Sequence, residues 1–226
     1  MVDIDPAWLA PTWFLDSDSA DVERFAAEAV GPATDPTEVA IALFRAVRDG
    51  LRYDPYCTDR TAQSYRASVI SRADTAWCVP KSVLLTAAAR HRGIPARLGF
   101  ADVRNHLTSE KLQAAMGTNV FAWHGYSELL LGDRWFKLST AFNIELCERF
   151  AVKPLEFDGT GDALMHPFDQ GGNRHMEYVK QRGSYDDLPL EAIFETFAEI
   201  YPTMGFDGLG ASSAGDEVFA AGDESL

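Results

Sequence analysis

The chain has 226 residues, 46% of them hydrophobic and 24% charged, the composition of an ordinary soluble globular protein with one sizeable core. Its 20 Lys and Arg stand against 34 Asp and Glu, a formal charge of -14, so a nucleic-acid backbone or an anionic membrane surface is repelled on average and neither is an expected partner. The three cysteines, Cys57, Cys78 and Cys147, are an odd number at wide spacings, which argues against a disulfide framework or a CxxC metal knuckle and for reduced thiols.

In chain order, Met1 to Trp13 carries Asp3 and Asp5 where a signal peptide has basic residues, and has no apolar run long enough to span a membrane, so a cytoplasmic location is expected. Residues 1–18 mix Pro6 and Pro11 with Trp8, Trp13 and Phe14, which predicts an extended arm packed by its aromatics. Val22, Phe25, Ala26 and Ala29 fit one helix face, and Thr34-Asp35-Pro36-Thr37-Glu38 opens a second helix carrying Val39, Ile41, Ala42, Phe44 and Val47. An extended aromatic piece, Leu51 to Tyr56, and a short helix over Ser64 to Arg72 lead to the stretch Asp74-Thr75-Ala76-Trp77-Cys78-Val79-Pro80-Lys81. Here Asp74 and Thr75 read as N-cap residues and Pro80 as a first-turn proline. Val83, Leu84, Leu85, Ala87 and Ala88 form the core face, and Gly93 and Pro95 end the helix.

After Pro95 the period changes to two: Ala96, Leu98 and Phe100 alternate with Arg97, Gly99 and Ala101, as in a half-buried strand. Asn105 to Gly117 reads as a polar surface excursion. Phe121–Leu131 and Arg134–Thr140 are β-rich runs joined by Gly132-Asp133, a dipeptide suited to a two-residue hairpin turn. A short helix over Ile144 to Phe150 precedes Lys153 to Arg174, a Gly-, Pro- and Asp-rich loop long enough to act as a lid. Met176 to Val179 is strand-like and Leu190 to Tyr201 is an amphipathic helix. The expected organisation is one domain over residues 1–206, with a core at 34–143 and an elaboration at 144–206; residues 207–226 form an acidic, disordered or loosely docked tail.

Cys78 stands at a helix start, where roughly half a positive charge favours thiolate over thiol and predicts a pKa below about 8.5. A cysteine nucleophile needs a base within reach and a third group that orients the base. With Gly132 and Asp133 as the turn, counting back pairs Glu128 with Lys137, Tyr126 with Ser139 and His124 with Ala141. Ser139 and Asn143 then lie diagonal to His124, and either is positioned to orient its ring. Asp102, on the parity of Leu98 and Phe100, is a further candidate. Trp77, Trp123 and Tyr126 are expected to wall the substrate site, although aromatics next to catalytic residues also serve as ordinary core. His166, Asp169, His175 and Glu177 match no metal-ligand spacing, so neither a metal nor any other cofactor is expected.

Two stretches, TAWCVPKSVLLTAAARHRGIPARLGF and WHGYSELLLGDRWFKLS, resemble the transglutaminase-like domain of the papain-type cysteine peptidase superfamily. The matching positions in the second are His124, Tyr126, Glu128, Gly132 and Trp135, and with the lead-in Leu51-Arg52-Tyr53-Asp54 the resemblance covers roughly residues 34–143. It implies an α+β fold, with N-terminal helices and the nucleophile helix packed against an antiparallel β-sheet. It also implies cysteine-dependent acyl transfer on a peptide or a small amide or ester, through a Cys78 thioester with His124 as acid/base. Two positions depart from the pattern: Trp77 replaces a frequent glycine, and Ser139 stands where the family has its orienting aspartate. Loss of that carboxylate costs about 10⁴ in rate in a serine-type triad. The sequence therefore leaves open a Cys–His dyad, replacement of the carboxylate by Asn143, or a domain that binds peptide or protein without catalysing.

Overall fold

The computed structural model describes residues 3–106, 113–114, 116–165, 170–172 and 175–204. Helix α1 (Ala20–Val30) starts where Ser19 Oγ accepts from Val22 N–H, and α2 (Pro36–Gly50) where Asp35 accepts from Thr37 and Glu38 N–H with Pro36 in the first position. Strand β1 (Arg52–Tyr53), the short helix α3 (Ala67–Ile70) and strand β2 (Thr75–Ala76) follow, and β1 and β2 pair in parallel. That pairing corrects the expected helix start. Thr75 is held extended opposite Arg52, so Trp77 becomes the N-cap and helix α4 runs Cys78–His91.

The rest of the fold is a four-stranded antiparallel sheet. Strands β3 (Ala96–Asn105), β4 (Val120–Leu131), β5 (Arg134–Leu138) and β6 (Met176–Tyr185) lie in the order β5-β4-β3-β6, with helix α5 (Ile144–Arg149) between β5 and β6 and helix α6 (Leu190–Ile200) after β6. The fold is thus α+β, mixed helices with an antiparallel sheet. In the β4–β5 hairpin Leu131 faces Arg134 and Glu128 faces Lys137, and Gly132 at φ 60 supplies the left-handed turn residue. β6 is longer than Met176–Val179: its polar half, Lys180 to Tyr185, pairs with Leu98–Asp102 as a sheet edge, where backbone pairing needs little apolar burial. In the 153–174 loop, expected as a lid, the described residues Leu155, Phe157, Ala163 and Met165 are buried and anchor it to the core. Phe157 is fully buried between Phe44 and Phe136, and Ala163 exchanges backbone hydrogen bonds beside Leu138. Over the sheet's other face the N-terminal arm brings Trp8 edge-on to Trp135, with the Arg97 guanidinium over both rings.

Helix α4 is buried from Cys78 through Arg90, enclosed by α1, α2, α3 and the sheet, so it has no polar face. Its polar side chains are therefore satisfied internally. Thr86 bonds Ser127 Oγ, Ser127 bonds Ser82 O, and the Arg90 guanidinium reaches the carbonyls of Ala96, Ala10 and Asp186. Lys81, fully buried, donates to Arg48 O at 2.8 Å and Leu51 O at 2.6 Å, tying the end of α2 to the first turn of α4. Among the described residues no helix is long and apolar enough to cross a membrane.

Burial holds the Lys81 ammonium down to about 7, well below its ordinary 10.5. From pH 7 to 9 the unfolded chain therefore binds the Lys81 proton more than the folded one does, so stability from this group rises with pH by about 2 kcal/mol. Chemical denaturation across that range is expected to show the rise, and Lys81→Met is expected to flatten it.

Candidate active site

The N-cap Trp77 is extended, with φ -93 and ψ -178, and its side chain makes no capping bond, so the first N–H groups of α4 are left for other acceptors. Strand β4 comes close to Cys78 here, and the backbone N–H groups of Gly125, Val79 and Cys78 itself favour its thiolate. Gly125 is needed for this approach. A Cβ there would lie 2.8 Å from Ser82 Oγ, 3.1 Å from Val79 Cα and 3.3 Å from Cys78 O, so only glycine lets β4 lie against the first turn of α4.

His124 precedes Gly125, where β4 leaves regular geometry. Trp123 has φ 56, a left-handed value that a tryptophan adopts only under constraint, and β3 carries register shifts on either side of Asp102. The constraint is Asp102 itself. Its Oδ1 accepts from Trp123 N–H at 3.1 Å and from Arg182 Nε at 2.5 Å, and its Oδ2 accepts from Arg182 Nη2 at 3.0 Å. Arg182 also stacks over the Trp123 ring at 4.7 Å. The bulge re-aims His124, whose Nε2 lies 3.3 Å from Ser139 Oγ and whose ring meets Tyr178 edge-on at 6.3 Å.

Cys78, His124 and Trp77 line one cavity of about 80 Å³, and Ser139 stands behind His124. The other expected site residues fall elsewhere. Asn143 does not orient His124, because its Oδ1 accepts from Tyr53 N–H and its Nδ2 donates to Glu145, which commits it to joining β1 and α5. The regular β4–β5 ladder stops at Leu138, so the inferred pairing of His124 with Ala141 does not form. Asp102 acts on the backbone of Trp123, not on the imidazole. Trp123 is not a cavity wall: it packs on Phe100 and Tyr185 and donates through Nε1 to Thr196 Oγ1. Tyr126 is not one either, since its ring covers Gly99 and its hydroxyl donates to Gln181. His166 and Asp169 lie outside the described residues.

Gly125, Arg182 and Phe197 do not figure in the sequence analysis. Gly125 is recognisable as a glycine inside an apolar strand. Arg182 and Phe197 carry no local signal, because only the pairing of β6 with β3 and the docking of α6 bring them to the Asp102 bulge and the cavity.

Burial dominates the electrostatics. It pushes the Cys78 thiol up to about 11, against the downward pull of the three N–H groups and Lys81, and it pushes His124 down to about 4. The sequence-based expectation of a lowered thiol pKa is thereby reversed. A helix terminus contributes only a partial charge, whereas the full desolvation of a thiolate in an apolar cavity is the larger effect. At neutral pH the resting pair is a thiol and a neutral imidazole.

A family model described as the transglutaminase-like superfamily matches residues 23–140, more than half of the chain. The crystal structure of a "putative cysteine protease" from Cytophaga hutchinsonii superposes with a TM-score of 0.51 at 15% identity, covering 84% of this chain and 51% of that one. This chain thus spans about half the length of that protein, and the likeness is one of fold. No curated protein matches the chain.

With exposed Cys57 changed to Ser, alkylation of Cys78 by iodoacetamide is expected to climb through pH 7 to 10 without a plateau near neutrality. A plateau below pH 7, followed by mass spectrometry of the labelled peptide, would instead indicate a thiolate–imidazolium pair. Gly125→Ala should cost about 1–3 kcal/mol in thermal unfolding by forcing the hairpin off α4, and should slow alkylation at pH 9.

Proposed function

We propose, for a chain that belongs to the transglutaminase-like superfamily, that it carries out cysteine-dependent acyl transfer on an amide or ester, with Cys78 as nucleophile and His124 as acid/base. The observation that carries this reading is that both side chains line one cavity, with Gly125, next to His124, packed against the first turn of the helix that begins at Cys78.

With Nε2–H donated to Ser139 Oγ, the His124 Nδ1 lone pair is free to take the thiol proton. Burial keeps the imidazole unprotonated at neutral pH but opposes a free thiolate–imidazolium pair, so the proton moves to Nδ1 in concert with the attack of the sulfur. The sulfur attacks the carbonyl carbon, and the backbone N–H groups at the start of α4 stabilise the oxyanion. The tetrahedral intermediate collapses as His124 returns the proton to the departing nitrogen or oxygen, leaving a thioester on Cys78. Water as acceptor gives a peptidase or amidase; a primary amine gives a transglutaminase. Ser139 acts as the positioning residue. A hydroxyl fixes the ring and tautomer, but it stabilises the transient imidazolium less than a carboxylate does.

A second reading, a transglutaminase-like module that binds peptide without turning it over, is favoured by the same hydroxyl and by the neutral resting pair. The two part on a covalent acyl group: acyl transfer requires mass added to Cys78 by an activated ester, and Cys78→Ala must abolish it. Ser139→Ala is expected to lower kcat about fivefold, the worth of one neutral hydrogen bond of about 1 kcal/mol. Ser139→Asp is expected to raise the His124 pKa and to bring in the near-neutral alkylation plateau that the native protein lacks. Single-turnover kinetics of the two variants against pH check both expectations.

A further inference from the structure

The side chains proposed for chemistry come from residues 78–139, inside the family match, but one wall of their cavity does not. Met176 at the start of β6, Phe197 and Tyr201 at the end of α6, and Met204 in the single turn Pro202–Met204 all line it. Tyr201 fastens this wall to the sheet. The Tyr201 hydroxyl accepts from Ala122 N–H at 2.7 Å and donates to Val120 O at 2.8 Å, satisfying backbone groups at the start of β4 three residues before Gly125. Opposite it stand Trp77, Val103, Phe121 and Phe142. Among the described residues, none that lines the cavity is Asp, Glu, Lys or Arg.

We propose, building on the acyl-transfer reading, that the segment from Met176 to Met204 forms the side-chain pocket for the acyl group, and that the pocket takes acyl donors with an uncharged aliphatic or thioether side chain. A charged side chain would enter without a partner and lose its hydration, whereas an apolar one gains by leaving water. The size of the cavity narrows the choice. At about 80 Å³ it is roughly half the volume of an engineered apolar cavity that admits benzene, so side chains smaller than a phenyl ring are favoured as the walls stand. A phenyl ring fits only if the walls yield, and Met116, Met176 and Met204 are the residues able to do so, because an unbranched thioether changes rotamer cheaply.

The test uses the full chain and 4-nitrophenyl esters of N-acetylated leucine, methionine, phenylalanine, glycine, glutamate and lysine. In each, a Cys78 Sγ–C bond forms as the C–O bond to 4-nitrophenolate breaks, and water then releases the N-acetyl amino acid. The expected kcat/KM order is leucine and methionine first, phenylalanine within about tenfold, glycine at least about 30-fold lower, and the two charged donors lower still. Met204→Lys places a cation in the wall and is expected to raise the glutamate-to-leucine ratio at least about tenfold. Equal rates across the panel, or a ratio unmoved by Met204→Lys, would overturn the pocket assignment while leaving acyl transfer standing.

A second measurement keeps the two readings apart. Binding of the N-acetyl amino acid amides to Cys78→Ala, followed by NMR shifts of Trp77 and the methionine methyls, is expected to favour leucine over glycine, glutamate and lysine. If no ester acylates Cys78 but this preference holds, catalysis is lost and the pocket assignment survives. If no amide binds preferentially, the pocket assignment fails as well.

Discussion

The enclosure of α4 on every side is the constraint on which the rest of the structure depends. A helix with no solvent face cannot leave any polar group to water, so each one must find a partner in the surrounding elements. Lys81 finds the carbonyls at the end of α2, Ser82 and Thr86 find Ser127 on β4, and Arg90 gathers the N-terminal arm, β3 and the chain after β6. These bonds fix the helix axially and rotationally. The position of Cys78 relative to β4 is therefore a consequence of a dozen residues that take no part in chemistry.

The same enclosure sets the electrostatics of the site. A thiol and an imidazole sunk into an apolar cavity are both driven toward their neutral forms, and the N–H groups at the start of α4 only partly oppose this. In that setting a hydroxyl behind the histidine is coherent. An aspartate at position 139 would itself have to be desolvated, and in a buried site the imidazolium it needs as a partner is disfavoured. The Ser139 hydroxyl meets the ring at 3.3 Å and carries little desolvation cost. The buried carboxylate nearby, Asp102, is instead compensated by Arg182 and spends its remaining hydrogen-bonding capacity on the backbone of Trp123, holding open the bulge that aims His124.

The chain divides its labour along its length. The stretch matched by the family supplies the nucleophile helix and the histidine hairpin, and the segment after it supplies a sheet edge and one cavity wall. The likeness to a larger protein at 15% identity follows from this arrangement, because the packing of helix on sheet tolerates wide exchange of side chains.

Local rules made much of this legible. The body and end of helix α4, the strand after Pro95 and the Gly132-Asp133 hairpin with its register near the turn follow from periodicity, breakers and turn chemistry, which act between near neighbours in the chain. Counting along that hairpin also brought Ser139 close to His124. What local rules could not supply were the departures from regularity and the depth of burial. A strand count carries no bulge, so Asn143 looked as close to His124 as Ser139, and Trp123 and Tyr126 looked like site walls when they pack elsewhere. A helix terminus seen alone implies an acidic thiol, and only the apolar enclosure around Cys78 reverses the sign. The sequence by itself determined the α+β layout and singled out Cys78 and His124, because those features are written in spacing. Tertiary packing alone decided the partner of His124, the resting charge of the pair and the residues of the cavity wall, because each depends on groups brought together from distant parts of the chain.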